Sequence, residues 1–202
     1  IDGLVDLFFD DRKVLRFLQR LLYEPAPGAN FRIAWMIGQV CGRVATREPG
    51  PVADLLHRLF EASADSAASS WGMVEAIGAI IAARPDIYGA FTRHLFNFMG
   101  DPGTREGVLW GLGEIAAAKP ELIRKNTPFY SLFPVLNHDN PQLRALTLRL
   151  LGRLAATEAG LQIMSLQYDQ SPVTIYEQGQ PVETTVAALS AEATRNLHSN
   201  QG

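Results

Sequence analysis

Four stretches of the chain carry the same order of apolar and polar positions, each aligned on a glycine. They are FRIAWMIGQVCGRVA around Gly38, WGMVEAIGAIIAARP around Gly78, EGVLWGLGEIAAAKP around Gly113 and ALTLRLLGRLAATEA around Gly152. Counted from the glycine, positions −5, −4, −1, +2 and +3 are apolar in every copy except at Thr147. At about 100° per residue these positions form one stripe, so each segment is predicted to be a helix with one buried face. Period-2 alternation, the signature of strands, is absent from all four.

The glycines recur at intervals of 40, 35 and 39 residues, which suits a unit of two helices plus turns. The glycine lies about 100° from the stripe centre, on the flank where a helix meets its neighbour. A glycine inside a helix costs about 1 kcal/mol relative to alanine, so its recurrence predicts close approach of adjacent helices. Gly78→Leu and Gly113→Leu are accordingly expected to overpack. Pro85 and Pro120 follow their glycines by seven residues, ending one helix and fitting the first turn of the next. Partner helices are predicted at 11–24, 52–62, 86–99, 121–137 with a break at Pro128, and 158–166. Turn-forming segments separate the units, and no hinge divides the chain.

After about residue 167 the pattern changes. SPVTIYEQGQPVE flanks Gln178-Gly179 with β-branched and aromatic residues, predicting a short hairpin. TTVAALSAEATRNL then reads as a final helix, followed by a polar tail at 198–202. Two roles for the hairpin remain open: closing the end of a helical stack, or offering an edge strand to another chain.

The residues resemble the HEAT-repeat family, including its shorter variants named for phycobilisome lyases. LFPVLNHDNPQLRALTLRLLGRLA (132–155) carries the resemblance most fully and LFNFMGDPGTREGVLWGLGEIA (95–116) more weakly. In that family a turn Asp precedes an Arg near the start of the second helix. Asp139 and Arg144 fill those places in one copy, and Asp101 and Arg105 in another. The likeness spans roughly residues 11–166. It implies an all-α superhelix of about four to five helical hairpins with a small β-hairpin near the C-terminus. The whole chain, 1–202, is expected to be one such domain, with hairpin and capping helix at 167–197.

Opposite the buried stripe lie the candidate binding residues. Position −3, about 160° from the stripe centre, carries Trp35, Glu75, Trp110 and Arg149. Position +1 on the same face supplies Gln39, Glu114 and Arg153, and position −7 supplies Phe31, Trp71 and Glu106. If these helices are the inner ones, as the resemblance implies, the rows form a ladder on the concave face, running from aromatic through acidic to basic. Exposed aromatics and arginines concentrate binding energy, whereas the alternative has each tryptophan fold sideways and fill a stacking gap. Trp71, at a helix start, can instead act as a staple into the core.

Chemistry-bearing patterns are sparse. His57, His94, His138 and His198 fall in separate segments without metal-ligand spacing, and neither a phosphate-cradling loop nor a G-x-S-x-G elbow occurs. The His-Glu pairs of HEAT-like di-iron hydroxylases are absent. No catalytic residue, metal or cofactor is expected. Two enzyme classes remain as alternatives: HEAT-like DNA glycosylases, for which Trp110 with Glu106 or Glu114 offers a superficial likeness, and bilin lyases or isomerases, suggested by the family name.

Composition narrows the partners. With 202 residues, 47% hydrophobic and 19% charged, the chain can bury a sizeable core. A net charge of −3 gives no general attraction to nucleic acid or anionic lipid. No stretch approaches the ~20 apolar residues of a membrane-spanning helix. The lone Cys41, at stripe spacing, predicts a buried thiol and fits a reducing cytoplasm. Ile1 in place of Met is expected of a trimmed N-terminus. The reading that results is a non-enzymatic scaffold that binds a protein partner, as a monomer or weak homodimer.

Overall fold

A computed structural model describes residues 1–23, 26–64 and 72–199. The five inner helices are α3 (Ala29–Val44), α5 (Met73–Ala83), α8 (Arg105–Ala118), α10 (Pro141–Arg153) and α12 (Val186–Ser199). They stack side by side in that order, each packing on the next. The first four are the glycine-centred segments, and α12 extends the row by a fifth member.

The stripe is what binds this row. Every stripe residue is buried except Ala155, which lies beyond the end of α10 with φ +46°. Thr147, the polar exception, satisfies its hydroxyl by donating to the Leu143 carbonyl at 2.8 Å. Burying an aliphatic side chain contributes roughly 1.5–3 kcal/mol, so a stripe repeated in four helices is the main source of cohesion. Cys41 is fully buried within it, and burial pushes its thiol up to about 12.

The outer layer is less regular. It comprises α1 (Asp2–Asp10), α2 (Val14–Leu21), α4 (Pro49–Ala64), α6 (Pro85–Tyr88), α7 (Thr92–Phe96), α9 (Pro120–Asn126) and α11 (Gly160–Ser165), with 3-10 turns between several of them. Pro85, Pro120 and Pro141 each open a helix, where a missing N–H costs nothing. The predicted helix 86–99 is broken into short α and 3-10 segments, and 121–137 does break at Pro128, continuing as a 3-10 run that contains Pro134. Helix α1 lies outside the predicted elements. Its Phe8 is buried and its Asp2, Asp6 and Asp10 recur at i, i+4, so a short amphipathic signal was present. The tail prediction is corrected at its start, since α12 runs to Ser199; residues 200–202 lie outside the described part.

The turn arginines behave alike in the two copies. Arg105 donates to the Met99 carbonyl at 3.0 Å and Arg144 to the His138 carbonyl at 2.7 Å, each reaching six residues back. The side-chain ion pair of Arg144 is with Asp169 rather than Asp139.

Strands β1 (Pro172–Glu177) and β2 (Gln180–Thr185) form the predicted hairpin, with Glu177 opposite Gln180 and positive φ at both Gln178 and Gly179. Two positive φ angles in a two-residue loop define a type I′ turn, whose twist matches paired strands. The hairpin is inserted between α11 and α12.

Close approach at the glycine flank is most severe between α5 and α8. A Cβ on Gly78 would lie 2.4 Å from the Gly111 Cα, and one on Gly38 would lie 2.7 Å from the Ala79 carbonyl oxygen. Backbone cannot swing aside as a side chain can. Gly78→Ala should therefore lower unfolding free energy by about 1–3 kcal/mol despite its better helix propensity, and Gly78→Leu by more. Urea titration checks this, and an unchanged midpoint would mean the two helices are free to separate.

Candidate functional site: a strand held across the inner helices

The hairpin lies over the solvent-facing side of the inner helices, the surface on which the candidate residues were expected to form an open ladder. That openness is corrected by the structure. Trp110 is completely buried, and Phe31, Glu75 and Arg149 are buried as well. Trp35, Gln39, Glu106, Glu114 and Arg153 are partly exposed, and Trp71 lies outside the described residues. Their bearing on each helix is as predicted; a segment distant in sequence covers them.

The covering contacts are specific. In an antiparallel pair closed by a two-residue loop, residues alternate between pointing their backbone groups at the partner strand and away from it. Glu177 pairs inward with Gln180, so Tyr176 and Thr174 point outward. Their carbonyls accept from Trp110 Nε1 at 2.9 Å and from Gln142 Nε2 at 2.7 Å. The Tyr176 ring stacks on Phe31 with centroids 4.6 Å apart and planes 14° apart, while Phe31 meets Trp110 edge-on at 5.4 Å. Tyr176 fits because residue 28 is glycine: a Cβ there would lie 1.9 Å from the Tyr176 hydroxyl oxygen, and φ is +70°.

Next along the strand, Glu177 accepts from both arginines of α10. Arg153 Nη2 reaches its two oxygens at 3.0 and 2.8 Å, and Arg149 donates from Nε at 2.5 Å and from Nη2 at 3.1 Å. Glu114 of α8 accepts from the same two arginines and completes the cluster. The Arg149 side chain is only 3% exposed, a position tolerable for a guanidinium only when it is paired and fully hydrogen-bonded. Burial alone would raise the Glu177 carboxyl, but the hydrogen bond and charge of Arg149, joined by Arg153, hold it below its ordinary value.

At the turn, a Cβ on Gly179 would meet the Trp35 ring at 3.2 Å, so the hairpin tip abuts the first tryptophan of the ladder. Beyond it an open cleft of about 270 Å³ remains between α3, α5 and α8, lined by Trp35, Gln39, Ala79 and Glu114 among others.

A buried carboxyl sits on α5. Glu75 Oε1 accepts from Asn30 Nδ2 at 2.8 Å, and Oε2 has no partner. Burial pushes this carboxyl up to about 7 against hydrogen bonds from its own backbone and Asn30, and the negative charge of Glu106 adds to the rise. Glu106 is itself raised by burial.

The glycosylase-like arrangement needs Trp110 free to act beside Glu106 or Glu114, and here Trp110 is completely buried under the strand, while of the two carboxylates Glu114 is ion-paired. The α10 arginines are likewise neutralised by carboxylates, so they offer no track for phosphates. His57 and His94, though far apart in sequence, both flank Phe91 at ring distances of 5.7 and 6.2 Å, in an aromatic groove on the outer layer. Among the described residues no group of three or more His, Cys, Asp or Glu could hold a metal ion, and no helix is long and apolar enough to cross a membrane.

A two-layered row of helices with recurring glycines on its contacts is an α-α repeat stack. Residues 102–154, from the turn before α8 to just beyond α10, match the family model of the HEAT-like repeat. No curated protein matches the chain.

The two tryptophans should respond differently to truncation. Trp110→Ala should cost about 3–5 kcal/mol, as for a fully buried aromatic, and Trp35→Ala clearly less; chemical denaturation of both variants checks the order. Glu75 sets a pH dependence of known sign. Its folded-state value lies above the ordinary carboxylate value of 4.5, so the folded form binds more protons and stability falls as pH rises between about 4.5 and 7. Glu75→Gln, neutral throughout, should make that downward slope shallower in melts recorded across the window, the raised Glu106 carboxyl supplying a remainder.

Proposed function

We propose that the protein is a non-enzymatic interaction scaffold, a single HEAT-like domain that binds a protein partner on the face of its inner helices, the concave side in the family it resembles. HEAT-like repeats commonly serve as scaffolds for protein interactions. The observation that carries the reading is the way this face holds a polypeptide strand: side-chain donors reach its carbonyls, an aromatic pair takes its tyrosine and two arginines take its glutamate. A surface with that equipment is chemically suited to bind polypeptide. The uncovered part, around Trp35 and Gln39, offers a partner a first foothold.

The test is affinity capture on wild type and on a Trp35→Ala/Gln39→Arg variant, each first shown to melt cooperatively. A defined partner should be lost from the variant, with binding weakened by about 2 kcal/mol or more for an anchor residue. Equal recovery of the same proteins on both baits would remove the inner face from consideration.

A further inference from the structure

Only one strand of the hairpin is read by the helices. Apart from the local cap where β2 runs into α12, in which the Thr185 hydroxyl oxygen accepts from the Ala188 N–H, β1 provides every acceptor: the Thr174 carbonyl, the Tyr176 carbonyl and the Glu177 carboxylate. Every donor comes from the inner row, namely Gln142, Trp110, Arg149 and Arg153. The two carbonyls are two residues apart, the repeat at which one edge of an extended strand presents its outward groups. Reading main chain at alternate residues and side chains at an adjacent aromatic-acid pair is how a groove recognises an extended peptide. The row therefore treats β1 as a ligand, and the bonds it makes do not depend on β1 being part of the same chain.

β2 plays a different part. Most of it is solvent-exposed, and its contact with β1 keeps that strand extended. Pro181 stands opposite Tyr176, where an N–H would point outward, so the outer edge of β2 lacks a donor and is a poor template for another strand. The hairpin's free edge is thus not the surface a partner would extend.

We infer that the inner face is a receptor for an extended segment in which an aromatic residue is followed directly by glutamate, and that β1 is its tethered occupant, displaced when a partner protein offers a segment of the same chemistry. This deepens the scaffold reading and rests on it. The attachment of β1 to the chain gives it a high effective concentration, so a competing segment must bind more tightly than an isolated copy of β1 does, or arrive with further contacts such as those near Trp35.

A fluorescein-labelled peptide with the sequence of residues 171–178, SPVTIYEQ, tests the inference by fluorescence anisotropy. It is titrated into the full wild-type chain and into a full-length Tyr176→Ala/Glu177→Gln variant, in which Glu114 still pairs with both arginines. The variant should bind the peptide at least tenfold more tightly than wild type, and a peptide carrying the same two substitutions should not bind. Equal, absent or sequence-indifferent binding by a variant that still melts cooperatively overturns the inference. If that variant nonetheless retains a partner that depends on Trp35 and Gln39, the scaffold reading survives and only the aromatic-acid specificity falls. Should the variant fail to fold, hydrogen exchange on the wild type decides: excess peptide should speed exchange in residues 172–185 while α8 and α10 stay protected. Exchange there that matches α10 and ignores the peptide makes the hairpin a fixed part of the fold.

Discussion

Contact of α5 with α8 at Gly78 and Gly111 sets the spacing on which everything else in the molecule is registered. Backbone meets backbone at that point, leaving no room for a methyl group. The same closeness recurs between α8 and α10, where a Cβ on Gly113 would lie 2.5 Å from Arg149 Nη1, and the side chains rising from these two helices converge beneath β1. Trp110 comes within 2.9 Å of one carbonyl and the α10 arginines close on a single carboxylate. A wider spacing would leave these donors short of hydrogen-bonding reach, and buried donors without partners are costly. Small residues inside the helices and polar recognition on their surface are therefore parts of one geometric requirement.

The row of helices was legible because its cause is local. An apolar stripe at helical spacing, a flank glycine and a following proline each act within one or two turns, and together they predicted four of the five inner helices and the openings of α6 and α9. The outer layer was less legible where 3-10 turns replace a continuous helix, as in 86–99, since short-range packing there overrides propensity. Helix α1 carried a readable pattern in its aspartates and Phe8, but it lies ahead of the first recognisable repeat and has no second copy to compare with.

The candidate face was legible in direction and not in state. Position −3 does point away from the stripe, yet Trp110 meets Tyr176 across 66 residues and Arg149 meets Glu177 across 28. Such pairings are not encoded by periodicity. What the sequence did contain was the complement: a ladder with aromatics at one end and arginines at the other, and, in the hairpin, Tyr176 beside Glu177. The hairpin was recognised, together with its turn, while its place across the row depends on Gly28, whose missing side chain admits the tyrosine hydroxyl.

The hairpin is joined to the chain at both ends. On one side Asp169, held by Arg144, precedes it; on the other, Thr185 runs straight into α12, itself the last member of the row. A segment fixed at two points cannot drift away as a free tail would. It can lift only as a flap about two nearby pivots, and once lifted it samples a small volume and returns within the short times of local loop motion. Any vacancy on the inner face would thus be brief, and residence on it would be governed by how fast the flap falls back.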